Sequence, residues 1–184
     1  MTKLLLPSIV IAFPSVVLFQ FFFGIKANYM DKIMTIPLPF TLILKRKYYF
    51  YCFLSFIMFL LLIPAVFWGL TWLELLSALM FAVGPLSFFG LWSSIFNDKK
   101  IDLKASVFFN YQGNTAKQYL LIVFFPCLLF FPIFCLTYFV SESMALLFMS
   151  VTGLIFIALH KIWITRLAIY YDKNILDKIE KIRQ

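Results

Sequence analysis

The sequence predicts an all-α membrane protein: a polytopic bundle of about five transmembrane helices, with the N-terminus outside and the C-terminus in the cytoplasm. The 184 residues are 64% hydrophobic and only 13% charged, which is more apolar surface than a soluble domain of this size can bury. Five apolar runs are each long enough to cross a hydrocarbon core of about 30 Å. Of the 16 basic residues, all but Lys3 fall on one side of these runs, as the positive-inside rule requires of cytoplasmic loops.

The apolar runs contain no Lys, Arg, Asp or Glu except at their ends, where Glu74 and Lys161 lie. The predicted spans are residues 4–24, 48–70, 72–95, 119–139 and 144–163. The segments expected in the cytoplasm are residues 25–47, 97–118 and 164–184. Residues 1–184 are therefore predicted to form a single transmembrane domain.

The most distinctive cytoplasmic segment is the polar and basic stretch between the first two spans. Asn28 can cap a helix with its side-chain oxygen, and Asp31 lies where a capping residue can reach back. Pro37 disfavours helical geometry in Ile36 and removes a donor, so the helix must end there. The segment therefore predicts a helix of about two turns outside the membrane.

The order of residues in this segment is similar to the coupling-helix region of type-2 ATP-binding-cassette (ABC) exporter permeases. An acidic residue is followed by an apolar turn, a threonine, a proline, a second apolar turn and a basic cluster before the next span. These features are Asp31, Ile33, Met34, Thr35, Pro37, Leu42, Ile43, Leu44, Lys45, Arg46 and Lys47. Residues 108–113, FFNYQG, also resemble a segment of one branch of these permeases.

The resemblance implies a permease subunit in the bacterial cytoplasmic (inner) membrane. Its partners would be an ABC ATPase subunit and a second permease half or a second copy of the chain. The residues expected to contact the ATPase are Asn28, Met30, Asp31, Ile33 and Met34. Because the coupling segment of that family lies between spans two and three, the chain would be the C-terminal part, or an N-terminally truncated form, of such a permease.

Small residues recur along the third predicted span at a helical spacing. They are Gly84, Ser87, Gly90 and Ser94. Small residues allow membrane helices to approach closely, so helix packing is one interpretation of this stripe. The alternative is that Ser87 and Ser94 line a translocation pathway. Pro85 within the stripe is expected to bend the helix.

The sequence contains no recognisable catalytic motif, and we expect no enzyme activity, cofactor or metal on this chain. His160 has no HExxH context, no glycine precedes a lysine as a P-loop requires, and the cysteines at 52, 127 and 135 lack CxxC spacing. Two alternatives remain: a non-catalytic membrane subunit of another complex, and a membrane-embedded lipid-modifying enzyme. The net charge of +8 indicates contact with anionic membrane lipids and does not require nucleic acid.

The tail is expected to form a short amphipathic helix on the cytoplasmic side. Asn174 and Asp177 repeat the capping pattern, and Ile175, Ile179 and Ile182 fall on one face.

Overall fold

A computed structural model of the protein describes residues 5–13, 39–95 and 116–173. The predicted coupling helix at 28–36, residues 97–115 of the loop predicted at 97–118, and the tail helix at 174–182 lie outside the described residues. The last three residues of that predicted loop, 116–118, are helical. Every regular element in the described ranges is helical, which confirms the all-α class.

The helices are named α1 to α7 in chain order. Residues 5–13 form α1. The others are α2 (Phe40–Leu62), α3 (Trp72–Phe81), α4 (Ser87–Ile95), α5 (Ala116–Phe139), α6 (Glu142–Ala158) and α7 (His160–Lys173). A 3-10 segment, Ile63–Trp68, extends α2, and a π-helical turn, Ala82–Leu86, joins α3 to α4.

Two of these units are long and apolar enough to cross a membrane. They are Phe40–Trp68 and Trp72–Ser94, and the pair α6 and α7 would be a third if it counts as one broken span. The described residues thus contain two or three candidate spans by length and composition. The axes of α6 and α7 differ by 62°. The run predicted as a single span at 144–163 is therefore bent between Ala158 and His160, near its C-terminal end.

The α3–α4 unit runs parallel to α6 through the centre of the bundle. Gly84 meets Gly153, and one turn further along both helices the rings of Phe88 and Phe156 lie 5.3 Å apart. In the most apolar stretch of Trp72–Ser94, 56% of the residues are buried, against 17% for Phe40–Trp68. The α3–α4 unit is therefore the central helix, and α2 lies at the periphery.

Two apolar clusters fill the two ends of the bundle. One joins α1, α3, α5 and α6 through residues such as Ile11, Leu75, Ile133 and Met149. The other joins α2, α4 and α7, and is described below as the joint cluster: Leu44, Tyr48, Tyr51, Leu91, Trp163, Ile164, Leu167, Ala168 and Tyr171. Because Tyr48 is in the joint cluster and Phe59 is in the other, α2 runs antiparallel to α3–α4.

The helix α2 begins earlier than the apolar run that predicts it. It starts at Phe40, after Pro39, whose φ of −61° suits a helix start, whereas the apolar run starts at Tyr48. The 29 residues to Trp68 extend about 43 Å, more than the hydrocarbon core needs. The first turns, which carry Lys45, Arg46 and Lys47, can therefore project beyond the core as part of the same helix.

Pro85 is accommodated by a change of helix type. Its ring removes a backbone donor, and the turn around it is π-helical over Ala82–Leu86. The N–H and the hydroxyl of Ser87 both donate to the Ala82 carbonyl, the latter at 2.9 Å. The fully buried Ser87 thus meets its hydrogen-bonding needs within its own helix.

The turn between α2 and α3 is closed by local interactions. Gly69 has φ 93°, in the left-handed region, and its N–H donates to the Val66 carbonyl at 3.1 Å. Thr71 and Glu74 then form a capping box: the Glu74 carboxylate accepts from the Thr71 N–H at 2.5 Å, and the Thr71 hydroxyl accepts from the Glu74 N–H at 3.3 Å. This is why an acidic residue lies at the start of an apolar helix.

Candidate functional site

The residues predicted to contact an ATPase all lie outside the described ranges: Asn28, Met30, Asp31, Ile33 and Met34. The structure describes the chain again from Pro39, directly after that segment. What it shows is the set of helices that a coupling segment would act upon.

The first turn of α2 is docked on the last turns of α7. The rings of Phe40 and Tyr171 are stacked, with centroids 3.9 Å apart and planes 11° apart. Tyr171 is fully buried, and Leu44, one turn beyond Phe40, is buried in the same cluster. The start of α2 is therefore held by a ring stack and an apolar contact, which fix its direction relative to α7.

Six of the seven basic residues in the described ranges, all but Lys117 of α5, gather at this end of the bundle. Lys45, Arg46 and Lys47 lie on α2, and Lys161, Arg166 and Lys173 lie on α7. Since α2 and α7 share the joint cluster, both sets belong to the same end. This end therefore presents a positive surface to whatever lies beside it.

The bend between α6 and α7 is closed by side chains of α7. The Trp163 Nε1–H donates to the Phe156 carbonyl at 3.0 Å, and His160 Nδ1 lies 2.7 Å from the Ile157 carbonyl. A helix that ends leaves its last carbonyls without partners, and these two side chains supply them. The bend contains neither proline nor glycine, so side-chain donors take the place of a helix-breaking residue.

His160 also links the bend to α2. Because a carbonyl only accepts, Nδ1 carries a proton, and Nε2 lies 3.1 Å from the Tyr49 hydroxyl, within hydrogen-bond distance. The His160 ring is stacked with Tyr48 at 5.5 Å between centroids. His160, at the start of α7, therefore links α7 to both α6 and α2.

Trp163 occupies the centre of this junction. Its ring meets Tyr48 of α2 edge-on at 5.2 Å and Phe88 of α4 edge-on at 5.3 Å. Only 8% of its surface is exposed. One side chain thus contacts α2, α4 and, through its indole N–H, α6.

Among the four predicted stripe residues, Gly84 makes the closest contact. A Cβ placed on Gly84 would lie 2.7 Å from the Gly153 carbonyl oxygen, and one placed on Gly153 would lie 2.6 Å from the Met80 carbonyl carbon and oxygen. Real Cβ atoms essentially never approach other atoms so closely. The backbones of α3–α4 and α6 therefore touch directly, which supports the packing interpretation at Gly84.

The remaining stripe residues are satisfied within their own helix. Ser94 is fully buried and donates to the Leu91 carbonyl at 2.6 Å, and the Gly90 carbonyl accepts from Ser93 at 2.9 Å. Gly90 is half-buried. With Ser87 bonded to Ala82, both predicted serines donate to backbone carbonyls of the same helical unit.

Two important features were missed by sequence reasoning. Gly153 is the partner of Gly84. Its signal in the sequence is a lone glycine inside an apolar helix. Glycine lowers the stability of a helix by about 1 kcal/mol relative to alanine, so its presence there indicates a close packing contact. The Thr71–Glu74 capping box is readable as the pattern T-x-x-E before an apolar run.

The described side chains offer hydrogen bonding, packing and positive charge. Within residues 5–13, 39–95 and 116–173, no three His, Cys, Asp or Glu side chains are grouped so that they could hold a metal ion. Glu74 is engaged in its capping box at the end of the bundle away from His160.

Comparison with known proteins gives a family assignment. No curated protein and no solved structure matches the chain. The model of the family of unknown function DUF5687 matches residues 8–184, which is nearly the whole chain. The chain therefore belongs to the DUF5687 family.

Proposed function

We propose that the chain is the transmembrane permease subunit of an ABC exporter, moved by ATP hydrolysis on a separate subunit. The observation that supports this proposal best is the position of α2. A helix that continues from Phe40 to Trp68 begins directly after the segment that resembles a coupling helix, and its first turn is stacked on α7.

This arrangement suits the transmission of movement. A displacement of the segment before Pro39 would act on the end of a long helix, which would carry it to the opposite end of the bundle near Trp68. The same displacement would act on α7 through the Phe40–Tyr171 stack, and on α6 through His160 and Trp163. The chain would do conformational work, and a partner ATPase would supply the free energy.

The proposed orientation places the joint cluster at the cytoplasmic end of the bundle and the N-terminus outside, with about five spans in a bacterial inner membrane. Two features support it. The basic residues of α2 and α7 share one end, and exposed interfacial aromatic residues lie at the other: Trp68, Trp72 and Tyr138 are 84%, 53% and 74% exposed. Positive charge inside and aromatic residues at the interface are typical of membrane helices.

The coupling role is tested by partner recovery. Replacing Ile33 and Met34 with aspartate should strip an ABC ATPase from the complex purified in mild detergent, because burial of each apolar side chain is worth about 1.5–3 kcal/mol. We expect at least tenfold less ATPase at equal permease yield, measured by quantitative mass spectrometry. Leu73→Asp with Met144→Asp, both at the opposite end, is the matched control and should leave recovery unchanged. Unchanged recovery with the first pair would reject the coupling role.

The orientation is tested by labelling single cysteines in a background in which Cys52, Cys127 and Cys135 are serine. An impermeant thiol reagent should label cysteine at Thr71 or Glu142 in intact cells, and cysteine at Lys100 only after the cells are opened. The opposite pattern would overturn the orientation and, with it, the permease proposal.

A further inference from the structure

The outward face of α7 carries basic and apolar side chains side by side. Lys161, Thr165 and Arg166 are exposed, and the exposed fractions of Ile162 and Ile169 are 58% and 50%. These five residues, spaced along two turns, line an open groove with a volume of about 410 Å³, referred to below as the α7 groove. The opposite face of α7 is buried in the joint cluster, so the groove lies on the face that the bundle does not use.

The charge of the α7 groove is positive. Within the described part of the chain, no carboxylate pairs with Lys161 or Arg166. The next charges along α7 are Asp172 and Lys173, in its last turn, and they offset each other. The Thr165 hydroxyl donates to the Lys161 carbonyl at 2.8 Å, so the groove's free donors are its two cationic side chains.

The position of the groove is that of a membrane interface. The axis of α7 departs by 62° from that of α6, an apolar helix, so α7 turns away from the direction of the span. It does so at the end of the bundle that carries Lys45, Arg46 and Lys47. Long basic side chains at such a level extend their charged heads toward phosphate groups while their stems rest on apolar surface.

We propose that the α7 groove binds the headgroup of an anionic phospholipid, with the phosphodiester held by Lys161 and Arg166 and the first acyl carbons against Ile162 and Ile169. The two cationic side chains complement the negative charge of the phosphate. The two exposed isoleucines provide an apolar surface for an acyl chain, which a lipid has and free phosphate lacks. This binding requires only that the chain lies in a membrane, so it is independent of any ATPase partner.

The proposal is tested by native mass spectrometry of the full chain in an uncharged detergent, titrated with phosphatidylglycerol or with phosphatidylcholine. Each basic residue near an anionic headgroup contributes about fivefold in affinity, so Lys161→Gln with Arg166→Gln should weaken phosphatidylglycerol binding about 25-fold. The charge-conserving exchange Lys161→Arg with Arg166→Lys should retain most of the binding. Ile162→Ser with Ile169→Ser should weaken the binding of both lipids and leave the preference for phosphatidylglycerol unchanged.

The matched control is Lys45→Gln with Arg46→Gln, which removes the same charge from α2 at the same end of the bundle. Its effect on phosphatidylglycerol binding should stay within about threefold, as screened charges outside the site contribute little. Equal loss with the control, or equal affinity for the two lipids, would overturn the proposal. Competition by millimolar inorganic phosphate would also overturn it, in favour of a site for free phosphate.

Discussion

Two contacts made by the same stretch of chain, α6 and the turn after it, are filled in opposite ways. At Gly153 the backbone of α6 lies against the backbone at Met80 and Gly84 with no room for a Cβ. At the far end of α6 the space is filled by the side chains of Trp163 and His160, which bond to its last carbonyls.

The backbone contact at Gly153 and the side-chain contact at the bend differ in how far they can rearrange. A backbone contact has a single arrangement, because neither helix carries a side chain that could rotate to fill a gap. An aromatic contact can rearrange by side-chain rotation while the helices stay in contact. The middle of the bundle is therefore expected to be the fixed part of the molecule, and the joint cluster the part that can move when α2 is displaced.

The largest effect is expected at the backbone contact. Gly153→Leu places a side chain where even a Cβ would lie 2.6 Å from the Met80 carbonyl, so α6 must separate from α3. Overpacking costs about 1–3 kcal/mol where neighbouring side chains can shift. Here the neighbour is backbone, so the two helices must separate, and we expect a larger loss than for any of the changes below. We expect loss of the monodisperse peak in size-exclusion chromatography in mild detergent. Ala158→Leu, at an exposed position of the same helix, should keep that peak, and equal loss in both would show that the contact has no special role.

A large but local effect is expected at the joint. Trp163→Ala removes a side chain that contacts three helices, which costs about 3–5 kcal/mol for a buried tryptophan. Hydrogen exchange should accelerate across residues 160–173, while residues 72–86 remain protected. Trp72→Ala, at a 53% exposed position, should change neither region. Loss of protection in both regions would contradict the division into a fixed part and a movable part.

A smaller effect is expected where α2 begins. Phe40→Ala removes the ring stacked on Tyr171, worth about 0.5–1.5 kcal/mol beyond its buried area. Hydrogen exchange should accelerate by up to about tenfold in the last turns of α7, since 1.4 kcal/mol corresponds to tenfold. Phe53→Ala, at a 59% exposed position of the same helix, should leave hydrogen exchange in α7 unchanged. If both variants accelerated exchange in α7 equally, the Phe40–Tyr171 stack would not be what stabilises α7.

The smallest effect is expected at the hydrogen bond between α2 and the bend. Tyr49→Phe keeps the ring and removes only the hydroxyl that is hydrogen-bonded to His160. Because Tyr49 is exposed, the loss should be at the low end for a hydrogen bond, about 0.5 kcal/mol. A thermal melt monitored by tryptophan fluorescence should shift by only a degree or two. A shift as large as that of Trp163→Ala would mean that the hydrogen bond, rather than the aromatic packing, holds the joint.

The sequence by itself determined that the fold is helical and that its charged residues lie outside the apolar runs or at their ends. Apolar length fixed the helical class, because a membrane admits helices whose backbone bonds are internal. The small-residue spacing indicated Gly84 as a possible contact, and the pattern T-x-x-E, which sequence reasoning missed, also lies at the start of α3. These features are local, so they can be read along the chain.

Only the tertiary structure decided which faces meet. In a bilayer the lipid is as apolar as the helix surface, so hydrophobicity does not distinguish a buried face from a lipid-facing one. The choice of Gly153 as the partner of Gly84, the start of α2 at Phe40, and the bend after Ala158 therefore left no mark in the apolar pattern. The bend in particular depends on carbonyls and donors that meet only when α6, α7 and α2 are packed together.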